Sequence, residues 1–142
     1  MDYREHAKDL LSRKKSLLSA YSSIKSELAS LEEEKNACKA AMSRDTDAQS
    51  YHEERIINIL ADIDDCRFRR NVVERELSKI EKGMSCLDDY YKDLIEGFFV
   101  DRVGENVEIL MERWYKERSS LYRDRGKALE AFTRSVYGVV QI

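Results

Sequence analysis

Apolar side chains recur at alternating steps of four and three residues along most of the first 84 positions. This spacing keeps one stripe of a helix facing a partner helix, as in a coiled coil. None of the 142 residues is proline, the residue that most strongly interrupts helices. The sequence therefore predicts an all-α protein. The predicted seam, at the core or between two copies, includes Leu10, Leu17, Ile24, Leu28, Leu31, Ile56, Ile59, Ile63, Leu77 and Ile80.

The seam lapses over roughly residues 39 to 50, where turn-forming and helix-starting residues occur: Ser43, Asp45, Thr46 and Asp47. A short link between two helices of similar length predicts antiparallel neighbours. Residues 1–84 are thus predicted to form a long antiparallel coiled-coil hairpin, an arm for oligomerisation or interaction. The seam lysines are predicted to form surface pairs across it: Lys14 with Glu74 or Glu76, and Lys35 with Glu53 or Glu54.

Two helices alone make a thin core, because apolar residues beside the seam have no partner. These residues are Leu11, Leu18, Ile57 and Val72. Either the C-terminal region or a second copy of the chain would cover them. We favour a homodimer, built as a four-helix arrangement.

Residues 85–142 are predicted to form a small helical domain. Ser85 and Asp88 have the spacing of a capping box, and the helix that they begin extends to about Val100. Residues 101–104 form a connector, and Asn106 is a favourable cap for the next helix. That helix is short and extends to Trp114.

A three-residue link, residues 115–117, separates this short helix from a longer one at about 117–137. Gly138 is a typical helix stop. A short helix, a tight link and a longer helix are the plan of a helix-turn-helix, in which the longer helix is the recognition helix. Trp114 and Tyr115 are expected in the core.

Positive charge is concentrated at the start of this recognition helix. Residues 113–127 hold six basic and two acidic residues, a balance of +4 in a chain of net charge −3. Such a local excess is what DNA binding requires. Arginine and serine in the first turns can reach base edges, and the flanking cations can contact phosphates. The predicted DNA-binding residues are Lys116, Arg118, Ser119, Ser120, Arg123, Arg125 and Lys127.

The stretch WYKERSSLYRDRGKALEAFTRSVYG, residues 114–138, resembles the C-terminal end of the phage and prophage ArpU/RinA-type late-transcription regulators. The resemblance extends upstream to about residue 86 and includes the run LDDYYK at residues 87–92. It implies a C-terminal domain similar to sigma-factor region 4, a transcription regulator that binds double-stranded DNA, and RNA polymerase as a candidate partner. The stretch departs from the common pattern at Tyr115, where many links have glycine, and at Glu117, where serine or threonine is usual.

Signatures of catalysis are missing from the sequence: it has no glycine-rich phosphate loop and no nucleophile–histidine–carboxylate set. We therefore expect neither an enzyme nor a cofactor, metal or small-molecule substrate. Three widely spaced cysteines and the absence of a leader or long apolar run predict a cytoplasmic protein without membrane contact. The alternative hypothesis is a coiled-coil structural or interaction protein, such as a phage scaffold, packaging component or adaptor.

Overall fold

The computed structural model describes residues 1–44, 47–102 and 106–142, and within them the chain is helical and forms no strand. The all-α prediction is therefore confirmed. The predicted turn residues Asp45 and Thr46 lie outside the described residues, as does the second half of the predicted connector, residues 103 and 104. The helices are α1 (Tyr3–Ser12), α2 (Lys14–Arg44), α3 (Gln49–Ser85), α4 (Asp89–Ile95), a π-helical segment (Glu96–Asp101), α5 (Asn106–Trp114) and α6 (Arg118–Tyr137).

The described helices divide into two compact units. One unit, here the terminal unit, combines Met1–Leu17 with Glu76–Ile142, and the other, the arm, is Leu18–Arg75. The predicted boundary between residues 84 and 85 differs from this division. The reason is that Leu10, Leu11 and Ile80, three residues of the predicted hairpin, pack in one core with the C-terminal helices.

In the terminal unit, α6 is the central helix and packs against α1, α4 and α5. Leu121 and Phe132 of α6 are fully buried, as are Leu94 and Ile95 of α4. Where α3 passes α6, Gly83 leaves room for the Phe132 ring: a β-carbon there would lie 2.3 Å from the ring. The two chain ends also meet in this unit, since the Tyr3 amide donates to the Val140 carbonyl at 2.9 Å.

In the arm, α2 and α3 contact each other in antiparallel order. Cys66 donates its thiol to the Ile24 carbonyl near one end, and Cys38 lies beside His52 near the other. Ile59 and Ile63 form a small core with Cys38, which behaves as a small hydrophobic side chain. The other seam residues packed against this core are partly buried: Leu28, Leu31 and Ile56.

Two details of the predicted hairpin are corrected. The helix assigned from Tyr3 is interrupted at Arg13, whose amide bonds to the Leu10 carbonyl three residues back. Lys14 and Lys35 also form ion pairs with other glutamates than predicted, because those glutamates lie nearer in space. Lys14 pairs with Glu96, and Lys35 pairs with Glu32 on its own helix at 2.7 Å.

The apolar residues beside the seam have different environments. Leu11 is completely buried by its own chain in the terminal-unit core, whereas Leu18, Ile57 and Val72 of the arm remain exposed. Of the remaining seam positions, Leu17 packs against the terminal-unit core and Ile24 is buried in the arm, while Leu77 is half-buried.

The capping-box prediction at Ser85 is wrong. Helix α3 continues through Ser85, whose hydroxyl donates to the Lys82 carbonyl at 2.8 Å. Asp88 alone caps α4, since its carboxylate accepts the Tyr91 amide at 2.8 Å. Aspartate is sufficient for this cap because it satisfies an amide that the first helical turn leaves without a partner.

Candidate functional site

The link between α5 and α6 is as short as predicted, three residues from Tyr115 to Glu117. It is closed by the Lys116 amide, which donates to the Met111 carbonyl at 3.2 Å. Tyr115 has φ 52°, in the left-handed region that favours glycine. Its side chain is 95% exposed, so its predicted place in the core is wrong. A left-handed residue after the last turn allows the chain to leave α5 and begin α6 at once.

The ends of α6 are set by different means. Glu117 occupies the N-cap position but its side chain makes no capping hydrogen bond. At the other end Gly138 has φ 80° and its amide donates to the Arg134 carbonyl at 2.8 Å, which confirms the predicted stop. The N-terminal amides of α6 are therefore not satisfied by a cap side chain.

Trp114 anchors the end of α5 to α4. Its indole N–H donates to the Asp93 carboxylate at 2.7 Å, and its ring lies 5.1 Å from that of Tyr90. Arg113 pairs with the same carboxylate. This cluster fixes where the short link begins, and so where the first turn of α6 lies.

A buried carboxylate holds α6 against α4. Asp124 lies on the inner side of α6 and accepts the Tyr90 hydroxyl at 2.7 Å. Burial, and then this hydrogen bond, raise the pKa of Tyr90 well above its ordinary value of 10.0. Lys116 approaches within 4.0 Å of Asp124 and lies 5.0 Å over the Tyr90 ring. The cation of Lys116 is thus turned toward the protein and neutralises a carboxylate there.

The predicted DNA-binding residues separate into two sets on α6. Leu121 and Ala128 face the core, so the opposite side of the first three turns faces solvent. That side, here the outer face of α6, holds Ser119, Arg123, Gly126 and Lys127, all exposed. Gly126 has open space beyond its α-carbon. Ser119, Arg123 and Lys127 are four residues apart and lie one above the other.

The other predicted residues lie beside this face. Arg118 is exposed and pairs with Glu108 of α5. Arg125 is half-buried, with its guanidinium 4.5 Å from the Tyr122 ring and 5.0 Å from that of Phe98. Ser120 is half-buried. The structure therefore does not gather all seven residues on one surface.

Basic residues distant in sequence lie near Arg125, and the sequence did not predict this grouping. Arg102, which follows the π-helical segment with φ 54°, and Arg125 line two adjoining clefts of about 460 and 330 Å³. Arg4 and Lys8 of α1 line the larger cleft, together with the carboxylates of Asp2, Glu5 and Glu130. No local pattern could have indicated this grouping, because α1 and α6 are far apart along the chain.

The guanidinium of Arg4, although it lines the cleft, is already paired with carboxylates of the same chain. It pairs with Asp2 at 3.0 Å and with Glu130 at 3.2 Å. The hydrogen bonds from Arg4 lower the pKa of the Asp2 carboxyl. The acidic residues thus offset much of the positive charge in this cleft. On the outer face of α6, Lys127 is exposed and Arg123 is exposed with its guanidinium 3.8 Å from the Asp124 carboxylate.

No family model matches this chain, and neither the curated proteins nor the solved structures include a significant match. The resemblance to ArpU/RinA-type regulators therefore stays a prediction. Among the described residues, no group of three histidine, cysteine or acidic side chains is placed to hold a metal ion. No helix in the described part of the chain combines the length and apolar character needed to cross a bilayer.

Proposed function

We propose that this chain is a DNA-binding transcription regulator of the phage and prophage type, in which α5 and α6 form a helix-turn-helix. The observation that carries the proposal is the outer face of α6. Its first three turns are exposed and hold Ser119, Arg123 and Lys127, while the opposite side is fixed in the core. In a helix-turn-helix the first turns of the second helix enter the major groove.

The outer face has the side chains needed for such contacts. Arg123 can donate two hydrogen bonds to a guanine, and Ser119 can donate to or accept from several bases. Lys127 lies one turn further along α6, where a contact with a DNA phosphate would set how deeply the helix enters the major groove. Gly126 adds no side chain between them, so the α6 backbone can approach the groove closely.

Arg118 serves as a phosphate contact in this proposal, whereas Lys116 is turned toward Asp124 and Tyr90. Arg118 is exposed and its pair with Glu108 is a surface pair, a kind that contributes roughly 0–1 kcal/mol. A phosphate can therefore replace Glu108 at little cost. The first turn of α6 also favours an anion, since the cap residue Glu117 provides no side-chain acceptor for its amides.

The arm takes the role of an assembly element, either for a homodimer or for contact with RNA polymerase. The resemblance of residues 86–138 to ArpU/RinA-type regulators supports the transcriptional role, and it adds to the argument from the residues. The cytoplasm is the compartment that this role requires.

The test is binding to random-sequence duplex DNA, measured by fluorescence anisotropy at 50 and 200 mM salt. Wild type is compared with the double variant Arg118→Ala/Arg123→Ala. The matched control is Arg55→Ala/Arg67→Ala, which removes two exposed cations from the arm and so changes the net charge equally. Each phosphate contact steepens the dependence of log Kobs on log salt by about 0.9.

We expect wild type and the control to bind with the same salt dependence. The α6 variant should bind at least about tenfold more weakly at 50 mM salt, with a shallower dependence on salt. An equal loss of DNA affinity in both double variants would show that only net charge matters. It would contradict a DNA-binding site on α6. Absence of binding by wild type at 50 mM salt would refute DNA binding altogether.

A specific observation favours the second hypothesis, a structural or interaction protein. The arm leaves large apolar side chains of α3 exposed, among them Ile57 and Phe68. If wild type fails to bind DNA but still associates through the arm, this second function replaces the first.

A further inference from the structure

We propose that the side of α3 facing away from α2 is an interface between two copies of this chain, paired antiparallel about a point between residues 64 and 65. The proposal concerns only the arm, and it names the surface and the register through which a dimer forms. It is independent of DNA binding, so either proposal can fail without the other.

The first observation is an exposed apolar stripe on α3. Ile57 is 65% exposed and Phe68 is 67% exposed, and two further apolar residues lie near them, Leu60 at 43% and Val72 at 44%. At about 3.6 residues per turn all four fall on one side of the helix, over a length of about 22 Å. Single exposed apolar residues are ordinary, but four large ones on one side of a helix are typical of an interaction surface, although Asp64 lies between Leu60 and Phe68.

The second observation is that α2 does not reach this stripe. The buried residues of α3 that pack toward α2 include Ile59, Ile63 and Cys66. These positions lie on the side of α3 opposite to Ile57 and Phe68. The arm therefore has a closed inner side and an open apolar outer side.

The third observation gives the occupant, because in one antiparallel register Ile57 and Ala61 of the stripe face apolar residues of a second copy. In an antiparallel pair centred between residues 64 and 65, Ile57 faces Val72 of the second copy. Ala61 then faces Phe68, so a small residue receives a large ring. The same two contacts recur on the other side of the twofold axis, as an isologous interface requires.

Charges at the ends of the stripe agree with the same register. Glu54 of one copy would face Arg75 of the other at both ends of the interface. Both residues are exposed, and among the described residues neither forms an ion pair within the chain. The neighbouring arginines of α3 differ, since Arg55, Arg67 and Arg69 pair with glutamates of α2. Glu54 and Arg75 are thus the charges available to a partner.

One feature of this register opposes association. Asp64 of each copy faces Asp65 of the other at the twofold axis, so four exposed carboxylates approach one another. Their repulsion opposes association, and an uncharged amide in place of Asp64 reduces it. The Asp64→Asn variant should therefore dimerise more tightly than wild type.

Sedimentation equilibrium without DNA measures the dimerisation constant. We expect dimers in wild type, and at least about tenfold weaker dimerisation in Glu54→Arg and in Arg75→Glu, where like charges meet. The double variant Glu54→Arg/Arg75→Glu should restore the wild-type constant to within about threefold, because the pairs are exchanged. Phe68→Ser should weaken the dimer, whereas Leu18→Ser, which changes an exposed apolar residue of α2, should not.

Cysteine cross-linking tests the direction of pairing, in a Cys86→Ser background because Cys86 is exposed. Asp64→Cys should form an intermolecular disulfide, since the two copies of residue 64 approach at the axis. Ala61→Cys should not, because residue 61 of each copy faces residue 68 of the other. A monomeric wild type, a charge-exchanged variant that stays weak, or equal cross-linking of both cysteine variants would overturn the proposal.

Discussion

Asp124 and Tyr90 form a polar contact inside an otherwise apolar core. The carboxylate is buried on α6, and the tyrosine hydroxyl on α4 satisfies it at 2.7 Å. A buried carboxylate without a donor is costly, so this contact fixes the rotation of α6 about its own axis. That rotation determines which side chains of α6 face solvent.

We expect Tyr90→Phe to lower the free energy of unfolding by about 1–2 kcal/mol, since it removes a hydrogen bond to a charged group. Urea unfolding followed by the fluorescence of Trp114, the single tryptophan, measures the change. Tyr91→Phe is the control, and should change the unfolding free energy by no more than about 0.5 kcal/mol. A Tyr90 variant as stable as wild type would contradict the role of this contact.

The raised pKa of Tyr90 also predicts a pH dependence. Below pH 10.0 the hydroxyl is protonated in the folded and the unfolded chain, so its contribution to stability is fully present. As pH rises through the raised folded value this contribution is lost, because the unfolded chain releases the proton more readily. Wild type should therefore lose more stability than Tyr90→Phe above pH 10.0, measured by urea unfolding at several alkaline pH values.

At the scale of elements, the link between α5 and α6 combines an unfavourable residue with a favourable geometry. Tyr115 is held at φ 52° and contributes almost no burial. A non-glycine residue in the left-handed region costs roughly 1–2 kcal/mol. The link keeps its three-residue length because Lys116 closes α5 and Trp114 fixes its last turn.

Tyr115→Gly should consequently raise the free energy of unfolding by up to about 1 kcal/mol, since glycine adopts this conformation without steric cost. Tyr115→Val, with a β-branched side chain, should lower it. In thermal unfolding followed by circular dichroism, Tyr115→Gly should have a higher unfolding temperature than wild type and Tyr115→Val a lower one. If both variants moved in the same direction, the backbone conformation would not be the cause.

At the scale of the whole molecule, both ends of the chain build the unit that contains α6. Ala7, Leu10 and Leu11 of α1 are buried in the same core as the C-terminal helices. An N-terminal segment 10 residues long therefore supports a helix that begins more than 100 residues later. The candidate DNA-binding surface depends on this long-range packing.

Leu11→Ala should lower the free energy of unfolding by about 2–5 kcal/mol, the usual cost of a cavity at a fully buried leucine. Leu18→Ala is the matched control, because Leu18 is 49% exposed; its effect should stay within about 0.5 kcal/mol. Urea unfolding followed by Trp114 fluorescence reports on the terminal unit directly. Equal effects of the two substitutions would contradict the packing of α1 described above.

Several features could be predicted from the sequence because they depend on neighbours a few residues apart. Helix formation requires only hydrogen bonds between nearby turns, so apolar periodicity located the helices, and Gly138 located the end of α6. The three-residue link between α5 and α6 was predicted for the same reason, because it depends on residues close in sequence. The capping box at Ser85 was predicted wrongly because two potential caps, Ser85 and Asp88, compete within one turn.

The partners of these helices were decided by tertiary structure. The seam pattern does not show whether a helix packs against its hairpin partner or against another apolar surface. In the structure α1 packs in one unit with the C-terminal helices. Likewise, the charge count could not show that Arg118 turns toward Glu108 and Arg125 toward aromatic rings, while Arg123 and Lys127 face solvent. Local periodicity thus determined which segments are helical. Packing between distant segments determined which side of each helix remains available for binding.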